Sequence, residues 1–387
     1  MTTAAPNNVP APPPGCPFNA EFLPPNLRKH VDPAAPVPLR MMAAKSLVPL
    51  SPSDMLGALF MLTFDPDAGV RETAAKTASG LPDKILGSAV RDEEVQPPVL
   101  GYFLGLLKAK EAYAEMLVLN ASTPDDAVAD VAKDCSAKLA EIIGQNQLRL
   151  LRHEDILRNL CANPNVPVAL TDSVCDFAVR SGLTMTDVPQ MKTARIRLFG
   201  PEAAEAPPDP GPTAEQVLQE FAEVAGEDAA PMEEGKRLTL AQRVMKMSIA
   251  EKIKLATLGN KEARGTLIRD TNKLVAVAVI RSPRITDGEV LSCAANKAMM
   301  DDVLRVIYNN REWTKNQKVK LALVKNPKVP LTVTMKFLNT FRDAELKDLS
   351  RDKNVPAAVQ SFAKKLHEKK TAPKKEEWGG GEGLQPG

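Results

Sequence analysis

The residues in this chain that could act as bases or nucleophiles are few and lie far apart. His153 stands directly before Glu154 and Asp155, and a carboxylate beside a histidine can tune it for proton transfer. Cys161 and Cys175 lie on either side of the segment "NPNVP", and an activated thiol would be a nucleophile. We expect His153 to occupy an exposed helix start and both cysteines to be small buried thiols, because no further catalytic group accompanies them.

No segment matches a motif that would assemble such groups into an active site. The chain has no GxSxG, no P-loop, no HExxH and no GxGxxG after a strand. The pair Asp301-Asp302 fits a helix start, where acids complement the helix dipole, better than a metal site. Three histidines and the absence of any CxxC leave little from which to build a zinc site. The sequence therefore predicts no catalytic residue, no cofactor, no metal site and no enzyme activity.

The elements that must carry a functional surface are helices separated by proline corners. In "LALVKNPKVPLTVTMKFL", residues 321–338, two prolines three positions apart separate two apolar runs. Because the residue before a proline is pushed out of the α region, the first helix is predicted to end at or before Asn326. Val329 is predicted to tuck under the junction, and Pro330 suits the first position of the next helix.

The same corner recurs along the chain. "NPNVP" at 163–167 matches "NPKVP" at 326–330 in four of five positions, and "SPRIT" at 282–286 has Thr286 in place of the second proline. There, "TDGE" is predicted to form a capping box in which Glu289 reaches back. Neighbouring corners lie 26 to 27 or 43 to 44 residues apart, near the periods of helical repeats of about 20–29 and about 40–47 residues.

These corners, preceded by "NLCA" and "LALVK" and followed by amphipathic helices, resemble those of leucine-rich-repeat-variant and HEAT-like α-helical repeat proteins. Residues 245–366, from "MKMSIAEKIKLATLGNKEARG" to "DKNVPAAVQSFAKKL", also resemble a bacterial family without an assigned activity. The resemblance implies a right-handed superhelix and a binding or scaffolding role. We predict an all-α fold, an irregular α-solenoid of such repeats in two parts. A generic helical bundle whose loops contain Asn-Pro is the alternative.

Composition divides the chain into five segments. Eleven of the 33 prolines fall in residues 1–38, where missing backbone donors and a fixed φ oppose a helix. Residues 201–235 hold ten acidic side chains and no basic one, which is typical of a solvated linker. The predicted segments are a Pro-rich disordered N-terminus at 1–39, an N-terminal helical repeat domain at 40–199, an acidic Pro/Ala linker at 200–236, a basic C-terminal helical repeat domain at 237–370 and a flexible tail at 371–387.

A short amphipathic helix is predicted inside the linker. The segment "TAEQVLQEFAEVAG" at 213–226 places its apolar residues on one helical face. That face is a candidate docking surface for a groove in the basic repeats, in the same chain or in another copy. The candidate docking residues are Val217, Leu218, Phe221 and Val224.

The two halves carry opposite charge although the whole chain has a formal net charge of +2. Residues 236–375 contain 31 Lys and Arg against 13 Asp and Glu. A surplus of this size attracts an acidic protein, nucleic acid or anionic lipid headgroups, whereas a solvated lysine-rich face is the alternative interpretation. The candidate residues for an anionic partner are Arg281, Arg284, Arg311, Lys315, Lys318, Lys325 and Lys328.

Several functional interpretations therefore stay open. The first is a non-enzymatic scaffold or adaptor for a protein partner, either an acidic protein or the acidic linker itself. The second is a nucleic-acid-binding protein that uses the basic C-terminal repeats, although its aromatic residues mostly fall on apolar stripes rather than on stacking platforms. A fold like that of the HEAT-like DNA glycosylases is the enzymatic alternative. Five dispersed cysteines indicate reduced thiols and a cytoplasmic protein, and no apolar run approaches the roughly 18–20 residues of a membrane helix.

Overall fold

The computed structural model describes residues 12–201, 211–224 and 241–371. Every regular element in these ranges is a helix, and none of the described residues forms a β-strand. The predicted all-α class is therefore confirmed. The low content of aromatic and alternating β-branched residues, which argued against a pleated fold, is the physical reason.

The first of two compact units consists of Met1–Thr213 and Lys246–Glu251. Two short 3-10 helices, Ala20–Phe22 and Arg28–His30, precede its α-helices. These are α1 (Val37–Ala44), α2 (Pro52–Leu62), α3 (Ala68–Ser79), α4 (Asp83–Ala89), α5 (Pro97–Leu107), α6 (Glu111–Leu119), α7 (Asp125–Ala132), α8 (Ala137–Gln145), α9 (Gln147–Arg152), α10 (Glu154–Ala162), α11 (Val168–Arg180) and α12 (Pro189–Phe199).

The second compact unit consists of Ala214–Met245 and Lys252–Gly387. Residues 241–246 are helical as well. The remaining helices are α13 (Ala214–Val224), α14 (Ile249–Leu258, whose first turn belongs to the first unit), α15 (Lys261–Leu267), α16 (Lys273–Ile280), α17 (Asp287–Ala295), α18 (Asp301–Asn309), α19 (Arg311–Lys315), α20 (Gln317–Lys325), α21 (Leu331–Leu338), α22 (Asp343–Arg351) and α23 (Ala357–Thr371).

The proline-rich N-terminal segment differs from the disordered region predicted over residues 1–39. Leu23 and Val31 are buried, and the ring of Phe18 stacks on that of Phe60 in α2 with 5.6 Å between the ring centroids. Prolines oppose helix formation, but they do not prevent an extended segment from burying its apolar side chains. The prediction weighed the prolines and overlooked the phenylalanines and aliphatic residues between them.

Parts of four predicted segments lie outside the described residues. These are residues 1–11 of the N-terminus, residues 202–210 and 225–236 of the acidic linker, residues 237–240 of the C-terminal domain, and residues 372–387 of the tail.

The proline corners end and begin helices close to the predicted positions. α20 ends with Asn326 as its C-cap, in an extended conformation (φ −84°, ψ 120°) that avoids the steric conflict with the following proline. Val329 is 6% exposed, so it lies under the junction as predicted. Pro330 is the N-cap of α21 rather than its first residue, because its ψ of 137° is extended. The corner at 163–167 has the same pattern, with Pro167 as the N-cap of α11.

The asparagine that opens these corners also joins each corner to an earlier one. Asn326 is buried, and its Nδ2 donates hydrogen bonds to the carbonyl oxygens of Ala294 at 3.0 Å and Asn296 at 3.1 Å. Its Oδ1 accepts the amide N–H two residues further on. Asn163 and Asn120 make the same contacts with carbonyl groups 28 to 31 residues earlier.

At two corners that carry an aspartate, a cation replaces those carbonyl groups. Asp352 accepts a hydrogen bond from Lys325, at 2.8 Å, and the buried Asp65 pairs with Arg40. Each aspartate still accepts the amide N–H two residues further on. Since an ionised carboxylate has no N–H to donate, it cannot bond a carbonyl group as asparagine does. The residue type at the corner therefore decides whether its side chain bonds a carbonyl group or a cation.

Helices that are not consecutive in the chain pack side by side within each unit. In the first unit, α2 packs on α4, α4 on α6 and α6 on α8, while α5 packs on α7 and α7 on α10. In the second unit, α16 packs on α18, α17 on α20 and α21 on α23. Each helix thus buries apolar residues against the helices before and after it in such a series.

Candidate functional site

The second unit contains an open cleft of about 430 Å³. α15 and α17 line its two sides, and α16 contributes the buried Val279 to its base. Met299 is also buried there, and Ile268 and Ile285 complete an apolar floor. A concave site with an apolar floor and a few polar groups at its edge is the usual form of a binding site for a ligand or a partner side chain.

Two glycines keep the walls of the cleft open. Gly265 lies in α15 and Gly288 in the first turn of α17, and both line the cleft. A Cβ atom added at either position would meet no atom within 4 Å. Glycine in a helix is about 0.5–1 kcal/mol less favourable than alanine, so the space comes at a cost in stability. A larger side chain at either position would occupy the cleft.

A buried ion pair holds α15 and α17 together at the cleft. Arg264 is 4% exposed, and its Nε and Nη2 each donate to one carboxylate oxygen of Glu289 at 2.9 Å. Its Nη1 donates to the carbonyl oxygen of Gly259. Burial alone would raise the pKa of Glu289, but hydrogen bonds from Arg264 and Thr286 outweigh it and hold this pKa below its ordinary value. The carboxylate is thus ionised at neutral pH and paired with Arg264.

The cysteine in the cleft is a neutral thiol at neutral pH. Cys293 is 7% exposed. Burial, with a smaller contribution from the charge of Glu289, raises its pKa to about 11. A thiol acts as a nucleophile in its ionised form, so this group is poorly suited to attack a substrate. The residues lining the cleft can therefore bind a group, whereas neither Cys293 nor Glu289 is set up for catalysis.

The edge of the cleft carries two cations without internal partners. Lys261 and Arg269 are exposed, and within the described residues their side chains make no hydrogen bond or ion pair. The two carboxylates beside them, Glu262 and Glu289, both have interactions of their own. The open charge at this edge is therefore positive, which favours a carboxylate or another anion.

Four of the seven predicted anion-binding residues make contacts inside the second unit. Arg284 donates to the carbonyl oxygen of Leu258 at 2.8 Å, and Lys328 donates to that of Met299 at 2.7 Å. These two cations cap main-chain groups of an earlier corner, and so they have a structural role that the charge count did not reveal. The other two form ion pairs, Lys325 with Asp352 and Lys315 with Glu312.

The remaining three basic residues are exposed. Arg311 and Lys318 lie at the starts of α19 and α20, and their side chains have no hydrogen bond or ion pair among the described residues. Arg281 follows α16 and does have an interaction partner. None of the seven predicted residues lines the cleft. The cations at its edge, Lys261 and Arg269, were not singled out from the sequence.

The aromatic residues of the basic half lie against its apolar core. Tyr308, Trp313 and Phe337 pack, partly buried, on a cluster built from α16 to α20 and the following corner. Phe341 is 1% exposed, and Phe362 packs on the next cluster, formed by α20 to α23. These five rings therefore do not form an exposed stacking platform of the kind that single-strand readers use.

The predicted docking helix is present as α13, within the predicted range 213–226. Val217 is fully buried and Leu218 is partly buried. The side chains of Phe221 and Val224, the other two predicted docking residues, lie outside the described part of the structure. α13 belongs to the same compact unit as the basic helices α15 to α23.

His153, the histidine considered as a possible base in the sequence, belongs to a cluster of charged residues. The Nε2 of His153 lies 2.5 Å from the Oδ1 of Asp126. Next to it, Asp125 accepts hydrogen bonds from the buried Arg149 and from Arg152. These contacts tie the first turn of α7 to the end of α9. His153 contacts one exposed carboxylate, and no nucleophile lies beside it among the described residues. This geometry fits a structural role rather than a catalytic one.

The acidic pair in the second unit has no metal-binding geometry. Asp301 lies 3.9 Å from Lys328, and Asp302 lies 3.6 Å from Arg305. Both start α18, where acids are favourable. Within the described ranges, no three His, Cys, Asp or Glu residues are grouped so that they could hold a metal ion.

Comparisons of the chain with protein-family models, with curated proteins and with solved structures found no match. Among the described helices, none combines the length and the apolar composition required to cross a membrane.

Proposed function

We propose that the chain is an irregular α-solenoid in two parts and acts as a non-enzymatic scaffold or adaptor for a protein partner. Two features support the repeat architecture. Helices pack in series within each unit, and the asparagine corners bond to carbonyl groups 28 to 32 residues earlier. Stacked units that contact mainly their neighbours are characteristic of solenoids.

The corner contacts favour a single repeat length of about 30 residues. Asn163 bonds to Ala132 and Cys135, rather than to the corner at Asn120 that lies 43 residues before it. Asn326 likewise bonds to Asn296 rather than to the corner at 282–286. The corners that lie 43 to 44 residues apart are therefore not joined by the asparagine side chains.

The partner that fits the cleft carries an apolar side chain beside an acidic one. The observation that carries this proposal is the juxtaposition of an apolar floor, two glycine walls and the unpaired cations Lys261 and Arg269. An apolar anchor would enter between Gly265 and Gly288, and its acidic neighbour would meet the cations at the edge. Binding anchors of this kind, in desolvated pockets with polar rims, dominate the energetics of interfaces.

The chemistry of the lining groups supports binding rather than reaction. The thiol of Cys293 is neutral because burial raises its pKa, and the carboxylate of Glu289 is held by Arg264 and Thr286. A general base needs an accessible lone pair near the proton that it removes. The carboxylate of Glu289 is paired with Arg264 and its pKa is held below the ordinary value, which makes it a weak base, so we assign the cleft to recognition.

Filling the cleft tests this proposal. We expect Gly265→Leu combined with Gly288→Leu to fold at least as well as the wild type, because leucine favours a helix over glycine and an added Cβ meets no atom. The variant should lose the proteins that the full-length wild-type chain captures from native extract. Lys261→Glu combined with Arg269→Glu should lose the same proteins.

A matched control is available in the first unit. Gly105 lies in α5, and a Cβ atom at this position also meets no atom within 4 Å. Gly105→Leu therefore makes the same chemical change far from the cleft in sequence, and it should capture the wild-type set of proteins. If the cleft-filled variant and this control capture identical sets, the assignment of the cleft is wrong.

Salt dependence separates a protein partner from the alternative of nucleic acid. A protein that contacts 6 to 10 phosphates loses about 10³- to 10⁵-fold in affinity between 50 mM and 200 mM salt. A contact that uses an apolar anchor and two cations should lose far less. Retention on nucleic acid with the steep dependence, unaffected by filling the cleft, would favour nucleic acid as the partner.

A further inference from the structure

Two cysteines of the first unit face each other across a proline corner. Cys161 lies in α10 and Cys175 in α11, and their sulfur atoms are 3.5 Å apart. Cys175 is fully buried, whereas Cys161 is partly exposed. A disulfide bond is about 2.05 Å long, so the two sulfurs would have to approach each other by about 1.5 Å to bond. No other pair among the five cysteines, all of which the structure describes, makes such a contact.

We propose that Cys161 and Cys175 form a reversible disulfide on exposure to a peroxide, which makes this corner a site of redox modification. The exposed sulfur would react first and the buried sulfur would resolve the product. Disulfides that form within cytosolic proteins are usually transient and serve in catalysis or redox sensing.

The reaction balances with hydrogen peroxide as the oxidant. The Cys161 thiolate attacks one peroxide oxygen, so an S–O bond forms, the O–O bond breaks, and the leaving hydroxide takes a proton to become water. The sulfur of Cys175 then attacks the sulfenic sulfur of Cys161, so the S–S bond forms and the S–O bond breaks. The thiol proton and the departing hydroxide leave as the second water. Two thiols lose two electrons in all, and the peroxide gains them.

The environment of the pair supports this order of events. The two thiols share a hydrogen bond in which either sulfur can be the donor. With Cys175 as the donor, this bond lowers the pKa of Cys161 although burial opposes it. The same contact, together with burial, raises the pKa of Cys175. Peroxides react with thiolates rather than with thiols, and the cysteine with the lowered pKa is also the more exposed residue of the two.

The three other cysteines provide internal controls. Burial raises the pKa values of Cys16, Cys135 and Cys293, and none of these residues lies beside a second thiol. Their thiols should therefore react more slowly and form no disulfide within the chain. Selective oxidation of Cys161 and Cys175 would distinguish a specific reaction of this pair from general oxidation of thiols.

Peptide mapping of the full-length protein tests the proposal directly. The segment from residue 161 to residue 175 contains no Lys or Arg, so trypsin releases both cysteines in one peptide, residues 159–180. After a brief treatment with a small molar excess of hydrogen peroxide and alkylation with N-ethylmaleimide, this peptide should lose both alkylation sites together. It should be lighter than the reduced peptide by two hydrogen atoms, and dithiothreitol should restore both sites.

Two single variants distinguish the roles of the sulfurs. Cys175→Ser should leave Cys161 as a sulfenic acid that dimedone traps, and Cys161→Ser should remove the peroxide reaction of this peptide. Since Cys175 is buried, Cys175→Ala serves as a second variant if serine disturbs the fold. Either variant should still show unmodified Cys16, Cys135 and Cys293 under the same conditions.

Other outcomes would overturn the proposal. One is further oxidation of Cys161 to the sulfinic acid in the wild type while Cys175 still reacts with N-ethylmaleimide. Another is oxidation of the five cysteines at equal rates. A third is a mixed disulfide with added glutathione that persists at Cys161 without exchange to Cys175.

Discussion

Asn326 uses both ends of its side-chain amide, because its oxygen caps its own corner while its nitrogen reaches two carbonyl groups of an earlier corner. A serine, threonine or aspartate could supply the cap, but none of them offers two N–H donors on one atom. Asparagine before proline therefore joins two successive corners in addition to ending a helix. The preference of the residue before proline for an extended conformation explains only the second of these effects.

Replacing this asparagine should weaken the second unit. Asn326→Ala leaves the carbonyl groups of Ala294 and Asn296 without these donors, and a buried polar group without a partner costs about 1–3 kcal/mol. We expect a loss of that size in the free energy of unfolding, measured by urea denaturation. Asn296→Ala is the control, since Asn296 is exposed and, among the described residues, its side chain only accepts the amide of Ala298. Equal losses in the two variants would contradict the linking role.

The ion pair beside the cleft should make stability depend on pH in the acid range. The pKa of Glu289 in the folded chain lies below its ordinary value of 4.5. Its ionised form thus stabilises the fold, fully so above the unfolded pKa and progressively less as the pH falls through the folded pKa. Glu289→Gln should lose about 3 kcal/mol at neutral pH, because it leaves Arg264 buried without a counter-charge.

The difference between the wild type and Glu289→Gln should shrink below about pH 4.5. Urea denaturation at a series of pH values from neutral to acid measures it. Glu312→Gln removes an exposed carboxylate from its pair with Lys315 and should cost about 0–1 kcal/mol, since surface pairs contribute little. A difference for Glu289→Gln that stays constant down to acid pH would show that its carboxylate contributes no charge-dependent stability.

At the scale of single helices, the capping box that begins α17 was predicted from "TDGE" and is confirmed. The Oγ1 of Thr286 accepts the amide N–H of Glu289 at 3.4 Å, and the Oε2 of Glu289 accepts that of Thr286 at 2.9 Å. The same Glu289 also holds Arg264 of α15. One side chain thus fixes both the start of a helix and the position of its neighbour.

Removing the hydroxyl group of this cap should cost about 1 kcal/mol in Thr286→Ala, a typical value for a helix N-cap. We expect a lower midpoint of urea denaturation, with an unchanged dependence of the free energy of unfolding on urea concentration. Thr266→Ala in α15 is the control, because its hydroxyl group bonds back to the carbonyl oxygen of Glu262 in the same helix, a contact that contributes little to stability. A similar loss in both variants would mean that the cap does not matter.

The sequence was informative where one residue type dictates the local backbone. Prolines and their preceding residues predicted the ends of α20 and the approach to α21 to within one residue, and the apolar Val329 was correctly predicted to be buried. Within residues 12–39 the structure differs from the predicted disorder, because proline content says nothing about the packing of Phe18 and its neighbours.

The cleft could not be predicted, because it depends on residues that meet only after folding. Gly265 and Gly288 look like helix-weakening residues in the sequence, and their effect arises from facing the same space. Charge counting pointed to Arg284 and Lys328, yet these side chains cap carbonyl groups of an earlier corner. A cation that follows a corner proline by one residue, as both of these do, is a local signal that could have identified that role.

At the scale of the whole molecule, a chain built from stacked neighbours should respond to damage locally. Each corner asparagine contacts an earlier corner of its own unit, so the loss of one should be felt by the adjacent helices rather than by the entire chain. In solenoids, stability is approximately a sum of repeat and nearest-neighbour contributions. A generic closed bundle, the alternative interpretation of the sequence, would instead unfold as a single cooperative unit.

Hydrogen exchange of two corner variants separates these architectures. Asn326→Ala should speed amide exchange in α17, α20 and α21 by about 5- to 30-fold, the factor that corresponds to one or two kcal/mol, and leave α4 to α8 unchanged. Asn120→Ala is its counterpart, since Asn120 bonds to the carbonyl groups of Val90 and Asp92. It should speed exchange in α4 to α7 and leave α17 to α21 unchanged. If either variant raised exchange uniformly in both units, the proposal of a solenoid in two parts would be wrong, because only a globally cooperative fold spreads a local loss to every helix.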